Sequence, residues 1–218
     1  MAEHTAQSTP TERLRSEILA GAFVPGERLP EIALSERYSV GRGAIRAALI
    51  ELRAEGLVDI EANRGAMVRR IGLEEAIEIA EARRLLEALL AAEAARRDTA
   101  AAKATLERVV DEMRAAVATG DHGRYSELNR ELHGRIGEIS GHGVGIDLVA
   151  NLRNRAAHHQ YRLAVMPGRA EESLGQHAAI VDAIVAGDPD TAAKAMEQHL
   201  DSVIEVLSQW SELGVEPT

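Results

Sequence analysis

The sequence predicts a mainly α protein of two domains: a small N-terminal domain with a short β hairpin, followed by an antiparallel all-helical bundle of about six helices. Three observations carry this expectation. Aromatic residues are 2% of the chain while hydrophobics reach 45% and alanine is abundant, which suits close helix packing better than a β-sandwich rich in branched and aromatic residues. Apolar residues recur at helical spacing through most of the 218 residues. Strand-like alternation appears only near residues 57–69, so any sheet should be small.

The elements follow in order. Thr11 to Ala20 carries Leu14, Ile18 and Leu19 at helical spacing, and Gly21 supplies a stop. Pro25-Gly26 makes a turn, after which Pro30 opens a second helix through Ile32, Leu34 and Tyr38. Ser39-Val40-Gly41 breaks it. A third helix over Arg42 to Ala54 places Ile45, Ala48, Leu49 and Leu52 on one arc, with Arg42, Arg46 and Arg53 on a neighbouring arc. Gly56 ends that helix, Leu57 to Ile60 alternates like a strand, and Asn63-Arg64-Gly65 forms a turn before Ala66 to Arg69. Helix, helix, turn, helix and hairpin is the order of a winged helix-turn-helix. From Leu73 the pattern is helical to the end, broken near residues 97–98, 120–121, 140–143, 167–168 and 187–189. Asp188 reads as an N-cap with Pro189 at the first helical position. The domains are expected at 8–70 and 72–212.

Charge and cysteine usage narrow the function classes. The net charge is −10, which taken alone disfavours a nucleic-acid partner because DNA affinity rests largely on basic side chains displacing counterions. Distribution reverses that reading. Residues 1–70 hold 10 basic and 10 acidic residues, so the acidity belongs to the C-terminal part. Arg37 to Ile50 contains Arg37, Arg42 and Arg46 with no acid, and 62–70 contains Arg64, Arg69 and Arg70 with none. No cysteine is present, which excludes disulfides, zinc-thiolate sites and cysteine nucleophiles. The polar start, Met1 to Pro10, and the lack of an apolar run near the ~20 residues needed to cross a bilayer point to a cytoplasmic protein without a membrane partner.

Pro25 to Ile71, PGERLPEIALSERYSVGRGAIRAALIELRAEGLVDIEANRGAMVRRI, resembles the DNA-binding domain of the GntR superfamily. The match includes PGERL before the second helix, the R-x-x-x-R pair in the third, EGLV into the first strand and NRG at the wing tip. The C-terminal half resembles the FCD ligand-binding domain of the FadR-like branch through EARRLLEALLAAEAA, a helical histidine at 133, and HAAIVDAIVAGDPDTAAKAMEQHL. The resemblance implies a homodimeric, ligand-responsive regulator that binds a palindromic double-stranded DNA operator. It places Arg42, Gly43, Arg46, Arg64 and Gly65 on the DNA face, with the third helix in the major groove and the wing at the neighbouring minor groove. Arginine's planar fork can take guanine O6 and N7 together or clamp a phosphate, and Arg42 and Arg46 at i, i+4 project from one side. Gly65 lets the wing backbone turn with φ > 0. The bland alternative for these arginines is a solvated helix face. The chain departs from the family pattern at Ile32, where an arginine is usual, and at Gly41 and Gly43, where hydroxyl residues are usual, so contacts to operator and phosphate are lost there.

Three of the eight histidines sit on apolar helical faces. His133 lies with Leu128, Leu132 and Ile136; His177 with Ile180, Val181 and Ile184; His199 with Met196, Leu200 and Val203. One inward histidine is ordinarily a core residue satisfied by a hydrogen bond, but three converging from separate helices make an open divalent-metal site. In metal-binding FCD domains the ligands are Asp-x-x-x-His on one helix and a histidine on each of two later ones. This resemblance maps to Asn129, His133, His177 and His199, and implies zinc, nickel or manganese. Asn129 departs from it by supplying a neutral oxygen, leaving net +2 rather than +1 for an anionic ligand to neutralise. The resemblance also puts Arg83 at a cavity position able to bind the carboxylate of a small organic-acid effector. Its alternative is a surface arginine paired with Glu87 at i, i+4.

Two other classes fit parts of the pattern. A metal-dependent hydrolase would use the histidine cluster, yet it lacks a neighbouring general base and an H-E-x-x-H signature, and leaves residues 11–70 unexplained. A purely structural metal bundle would keep the DNA-binding half and make the regulator constitutive.

Overall fold

A computed structural model describes residues 8–61, 64–97, 100–164 and 166–213. The chain divides into two compact units at Arg70 and Ile71. In the first, α1 (Pro10–Leu19) starts one residue before the expected Thr11, because Thr9 and Glu12 form a reciprocal capping box and Pro10 takes the first helical position. Helix α2 (Glu31–Tyr38) ends at Ser39 in the left-handed region, φ 56°. Helix α3 (Arg42–Ala54) buries Ile45, Ala48, Leu49 and Leu52, the arc its spacing predicts. Strands β1 (Val58–Glu61) and β2 (Gly65–Val68) pair antiparallel, Val58 opposite Val68 and Glu61 opposite Gly65. Arg28 adds a bridge to Met67 that alternation could not reveal. Leu14, Leu34, Ile45 and Leu52 bury against one another's elements to form the core, and the Arg15–Glu55 pair at 2.6 Å ties α1 to the end of α3.

The second unit contains α4 (Leu73–Ala95), α5 (Ala100–Thr119), α6 (His122–Ser140), α7 (Gly143–Arg155), α8 (Ala157–Ala164), α9 (Arg169–Ala186) and α10 (Pro189–Glu212). Seven helices are thus described where about six were expected. The additional boundary falls at Ala156, with no glycine or proline to announce it. Ala156 is buried beside Ala76, Ile79 and Leu163, and the bend there lets α7 pack on α4 while α8 packs on α6 and α9. Packing therefore decides a break that local propensity does not.

Helix α4 explains the abundance of alanine. Ala76, Ala80, Ala88, Ala91, Ala94 and Ala95 are all buried, and their small side chains let α6, α7, α9 and α10 all approach this one helix. Leu106, Met113, Leu128, Leu132, Ile136, Ile180 and Leu200 fill the main core. Asp188 caps α10 through the Thr191 amide at 3.1 Å, as the Asp-Pro pair predicts. Among the described residues no helix is long and apolar enough to cross a membrane.

Candidate functional site

Two regions of the structure carry functional side chains. In the first unit, α3 follows Gly41, which offers no side-chain cap; the Ala44 amide turns back to the Gly41 carbonyl at 3.0 Å, while no side chain caps the amides of Arg42 and Gly43. Arg42 and Arg46 project one turn apart, with side chains 61% and 62% exposed. Both meet Glu31 at the start of α2. Arg46 donates through Nε and Nη2 to the two carboxylate oxygens at 3.1 and 2.9 Å, and Arg42 Nη2 lies 3.8 Å away. Hydrogen bonding from Arg46 and the charges of both arginines hold the Glu31 carboxyl below its ordinary range. Arg64 in the wing pairs with Glu61 at 3.1 Å and remains largely exposed. Gly65 has φ +81° and nothing within 4 Å of the place a Cβ would occupy, so the turn needs glycine for its backbone rather than for space.

Between α3 and the wing runs a groove of about 700 Å³ lined by Arg28, Ile32, Arg42, Arg46, Arg64 and Gly65, among others. Four of the five residues expected at DNA thus come together. Gly43 is exposed in the first turn of α3 but does not line the groove, and Asn63 of the wing tip lies outside the described residues. Glu31 and Arg28 were missed. Their placement depends on how α2 crosses α3, and neither the charge runs nor the periodicity carries that information.

The second region lies in the helical unit. His133 on α6, His177 on α9 and His199 on α10 are all buried, and their ligand nitrogens lie within 4.8 Å of one another. Each ring is held from behind. His133 Nδ1 donates to Glu87, His199 Nδ1 bonds Gln176 Oε1 at 2.9 Å, and His177 Nδ1 lies 3.4 Å from the Tyr125 hydroxyl and 3.5 Å from that of Ser173. That arrangement turns the Nε2 atoms inward, with His133 Nε2 and His177 Nε2 3.2 Å apart. Two nitrogens bound at roughly 2.0–2.1 Å to one tetrahedral metal would sit roughly 3.4 Å apart. The pair can therefore hold one cation, or share one proton. Burial pushes all three imidazoles towards the neutral, ligating form: His133 falls to about 4, helped by Arg153, and His177 and His199 fall well below their ordinary value.

Asn129 stands one turn before His133. Its Oδ1 is buried with no hydrogen-bond partner, an orphan of a kind native interiors rarely leave unexplained. It lines a small cavity of about 40 Å³ together with Arg83, His133, Arg169 and His199. That volume is comparable with the ≈ 30 Å³ share of one water molecule. Three neutral imidazoles and one unpartnered amide oxygen are suitable donors for a borderline divalent ion, so the residues present fit the group that the pattern implies.

Arg83 is not on the surface. It is buried, faces the same small cavity, and donates through Nε to Glu87 Oε1 at 2.6 Å, so it makes the expected i, i+4 pair inside the bundle. Burial pushes the Glu87 carboxyl up, but the opposing attraction of Arg83, with His133 and Arg153, wins and holds it well below the carboxylate range. Glu87 thus joins Arg83, His133 and Arg153 in one charged network. Sequence reasoning treated it only as a partner for Arg83. Tyr125 and Ser173 were also missed, although each lies on the inward face of a ligand helix, at i−8 from His133 and i−4 from His177. Arg153 and Gln176 had no such signal.

Residues 78–202, more than half of the chain, match the FCD domain family, and residues 8–68 match the bacterial regulatory proteins of the gntR family. The chain belongs to the GntR family, in its FCD-containing branch. Its relatives include the HTH-type transcriptional repressor RspR of Escherichia coli, 28% identical over 90% of this chain and 86% of that protein. The HTH-type transcriptional repressor NanR of Cronobacter sakazakii is 30% identical over 88% of this chain and 81% of its own length. The solved structure of E. coli McbR/YncC shares the fold with a TM-score of 0.81 at 21% identity, covering 94% of this chain and all of that one. These families and relatives are transcription regulators, so this GntR–FCD chain is a DNA-binding regulator rather than an enzyme, and the hydrolase alternative falls.

Proposed function

We propose that this regulator works in the cytoplasm as a homodimeric repressor, binds a palindromic operator through Arg42, Gly43, Arg46, Arg64 and Gly65, and senses a small organic acid in a metal-containing pocket. The two relatives described above are named as repressors. The observation that carries the sensory half is the convergence of three buried imidazoles, their ligand nitrogens within 4.8 Å of one another, beside a cavity that the unpartnered Asn129 also lines. His133, His177, His199 and Asn129 would hold the ion. When bound, a divalent cation would supply positive charge beside the effector pocket and one open coordination position. The protein's own part is orientation: Glu87 fixes the ring of His133, Gln176 that of His199, and the nearby hydroxyls of Tyr125 and Ser173 that of His177.

Surface features support a homodimer. Helices α4 and α7 pack together, and each leaves an i, i+4 apolar pair exposed, Leu85 with Leu89 and Val144 with Leu148. A two-fold assembly would cover them and present two recognition helices to two half-sites. Sedimentation should show a dimer, and Leu148→Asp should shift it towards monomer and loosen operator binding. A monomeric wild type on a non-palindromic fragment would refute this.

Elemental analysis tests the metal. Protein purified without chelator should retain about one divalent ion per chain on this reading, and Asn129→Asp should tighten it by adding a charged oxygen ligand. A wild type that stays metal-free after exposure to zinc, nickel and manganese would overturn the site.

A further inference from the structure

A second, larger pocket opens beside the histidine cluster, between α6 and α7 and against α4. Its volume is about 170 Å³, and His133 and Gln160 line both it and the small polar cavity. Leu90, Ile146 and Val149 form apolar walls, while Gly134 and Gly137 lay a stretch of α6 bare of side chains. Gly134 and Ala150 are exposed at its mouth, whereas Arg153 and His133 are buried.

Arg153 is the anomaly. The residue is 7% exposed, and none of Nε, Nη1 and Nη2 has a hydrogen-bond partner. Its nearest carboxylate oxygen, Glu87 Oε2, is 3.6 Å from Nη1 and also accepts from His133. Glu87 meanwhile pairs closely with Arg83, so one carboxylate faces two buried guanidinium groups and the network keeps a surplus positive charge. Burial and the charge of Arg83 accordingly depress the Arg153 pKa to about 9. A buried guanidinium with a bare hydrogen-bonding fork is costly unless an anion completes it, and a carboxylate matches that fork bidentately.

We infer that this pocket binds a monocarboxylate with an apolar body of about six carbons, one aromatic ring or an equivalent alkyl chain, its carboxylate on Arg153 and its body against Leu90, Ile146 and Val149. The inference rests on the organic-acid reading above and deepens it. Size supports the class: an apolar cavity of about 150 Å³ is enough to take up benzene. The lining favours this class over a dicarboxylate or a polyhydroxy acid, since Leu90, Ile146 and Val149 with the bare glycine stretch suit an apolar body, whereas Arg130, Asn154 and Gln160 leave a second polar end few partners.

Calorimetric titration of the full-length protein, both chelator-treated and zinc-loaded, with hexanoate, benzoate, succinate and gluconate tests this. Hexanoate and benzoate should bind at least tenfold more tightly than the other two. A Cβ at Gly134 would meet nothing within 4 Å, so Gly134→Leu can fill the pocket without a backbone clash. It should weaken hexanoate and benzoate at least tenfold, with a smaller loss for Gly134→Ala and no fall in melting temperature. Arg153→Gln should weaken both acids, and Arg153→Lys should recover part of the loss. If succinate or gluconate binds more tightly and depends on Arg153, the organic-acid sensor stands and the apolar class is wrong. If hexanoate binding is indifferent to Gly134→Leu, the pocket assignment is wrong. If none of the four binds, this inference falls.

Discussion

His199→Ala is expected to remove the metal-dependent part of the protein's stability. On the proposed reading the ion binds only the folded bundle, so it stabilises by mass action, about 4 kcal/mol when free metal is a thousand times its Kd, or on the order of 10 °C in Tm for a protein of this size. His199 is a clean choice. Removing its imidazole leaves Gln176 Oε1 with the Ser202 hydroxyl at 3.1 Å, so few polar groups are orphaned, and the remaining cost is that of a cavity. The decisive quantity is the difference in Tm between zinc-loaded and chelated protein, measured for wild type, His199→Ala and His177→Ala. Wild type should show the shift and both variants should lose it. An equal shift in all three would place bound zinc elsewhere.

Arg46→Ala is expected to weaken operator binding by about 1 to 3 kcal/mol if its fork reads a base, a loss concentrated on the cognate sequence. If it contacts phosphate instead, the loss should be uniform across sequences and the slope of log affinity against log salt should fall by about one. Arg42→Ala should behave similarly. Because both arginines are exposed and their shared partner Glu31 lies at the surface, neither change should disturb folding, and the melting curve should be unaltered. Titrations of both variants on operator and scrambled DNA at several salt concentrations would check this. Unchanged affinity on both fragments would remove α3 as the recognition helix. Glu31 adds a refinement that charge counting does not suggest. Its carboxylate already occupies Arg46 in a bidentate pair, so DNA must either displace it or share the arginine with it.

Much of this was legible before any coordinates. Turn chemistry and periodicity located α1 to α3 and the hairpin to within a residue or two, because Gly21, Pro30, Gly41 and Gly65 act on their own backbone. The inward faces of His133, His177 and His199 followed from apolar neighbours three and four residues away, since burial of a helix face is a property of the helix itself. That these faces meet at one point was expected from family resemblance. The structure supplies the distances and the partners behind each ring.

Position in the chain determined which residues could be buried, capped or left-handed, for those depend on neighbours within a turn or two. Only the tertiary structure decided who meets whom. The bend at Ala156 has no local cause, and it exists because α7 and α8 have different packing partners. Glu87 is an unremarkable helical acid until α6 and α7 bring His133 and Arg153 to it. Arg153 reads as one more surface arginine until packing strips away its water, and the strength of a charge's interactions depends on the dielectric around it, which no sequence window contains.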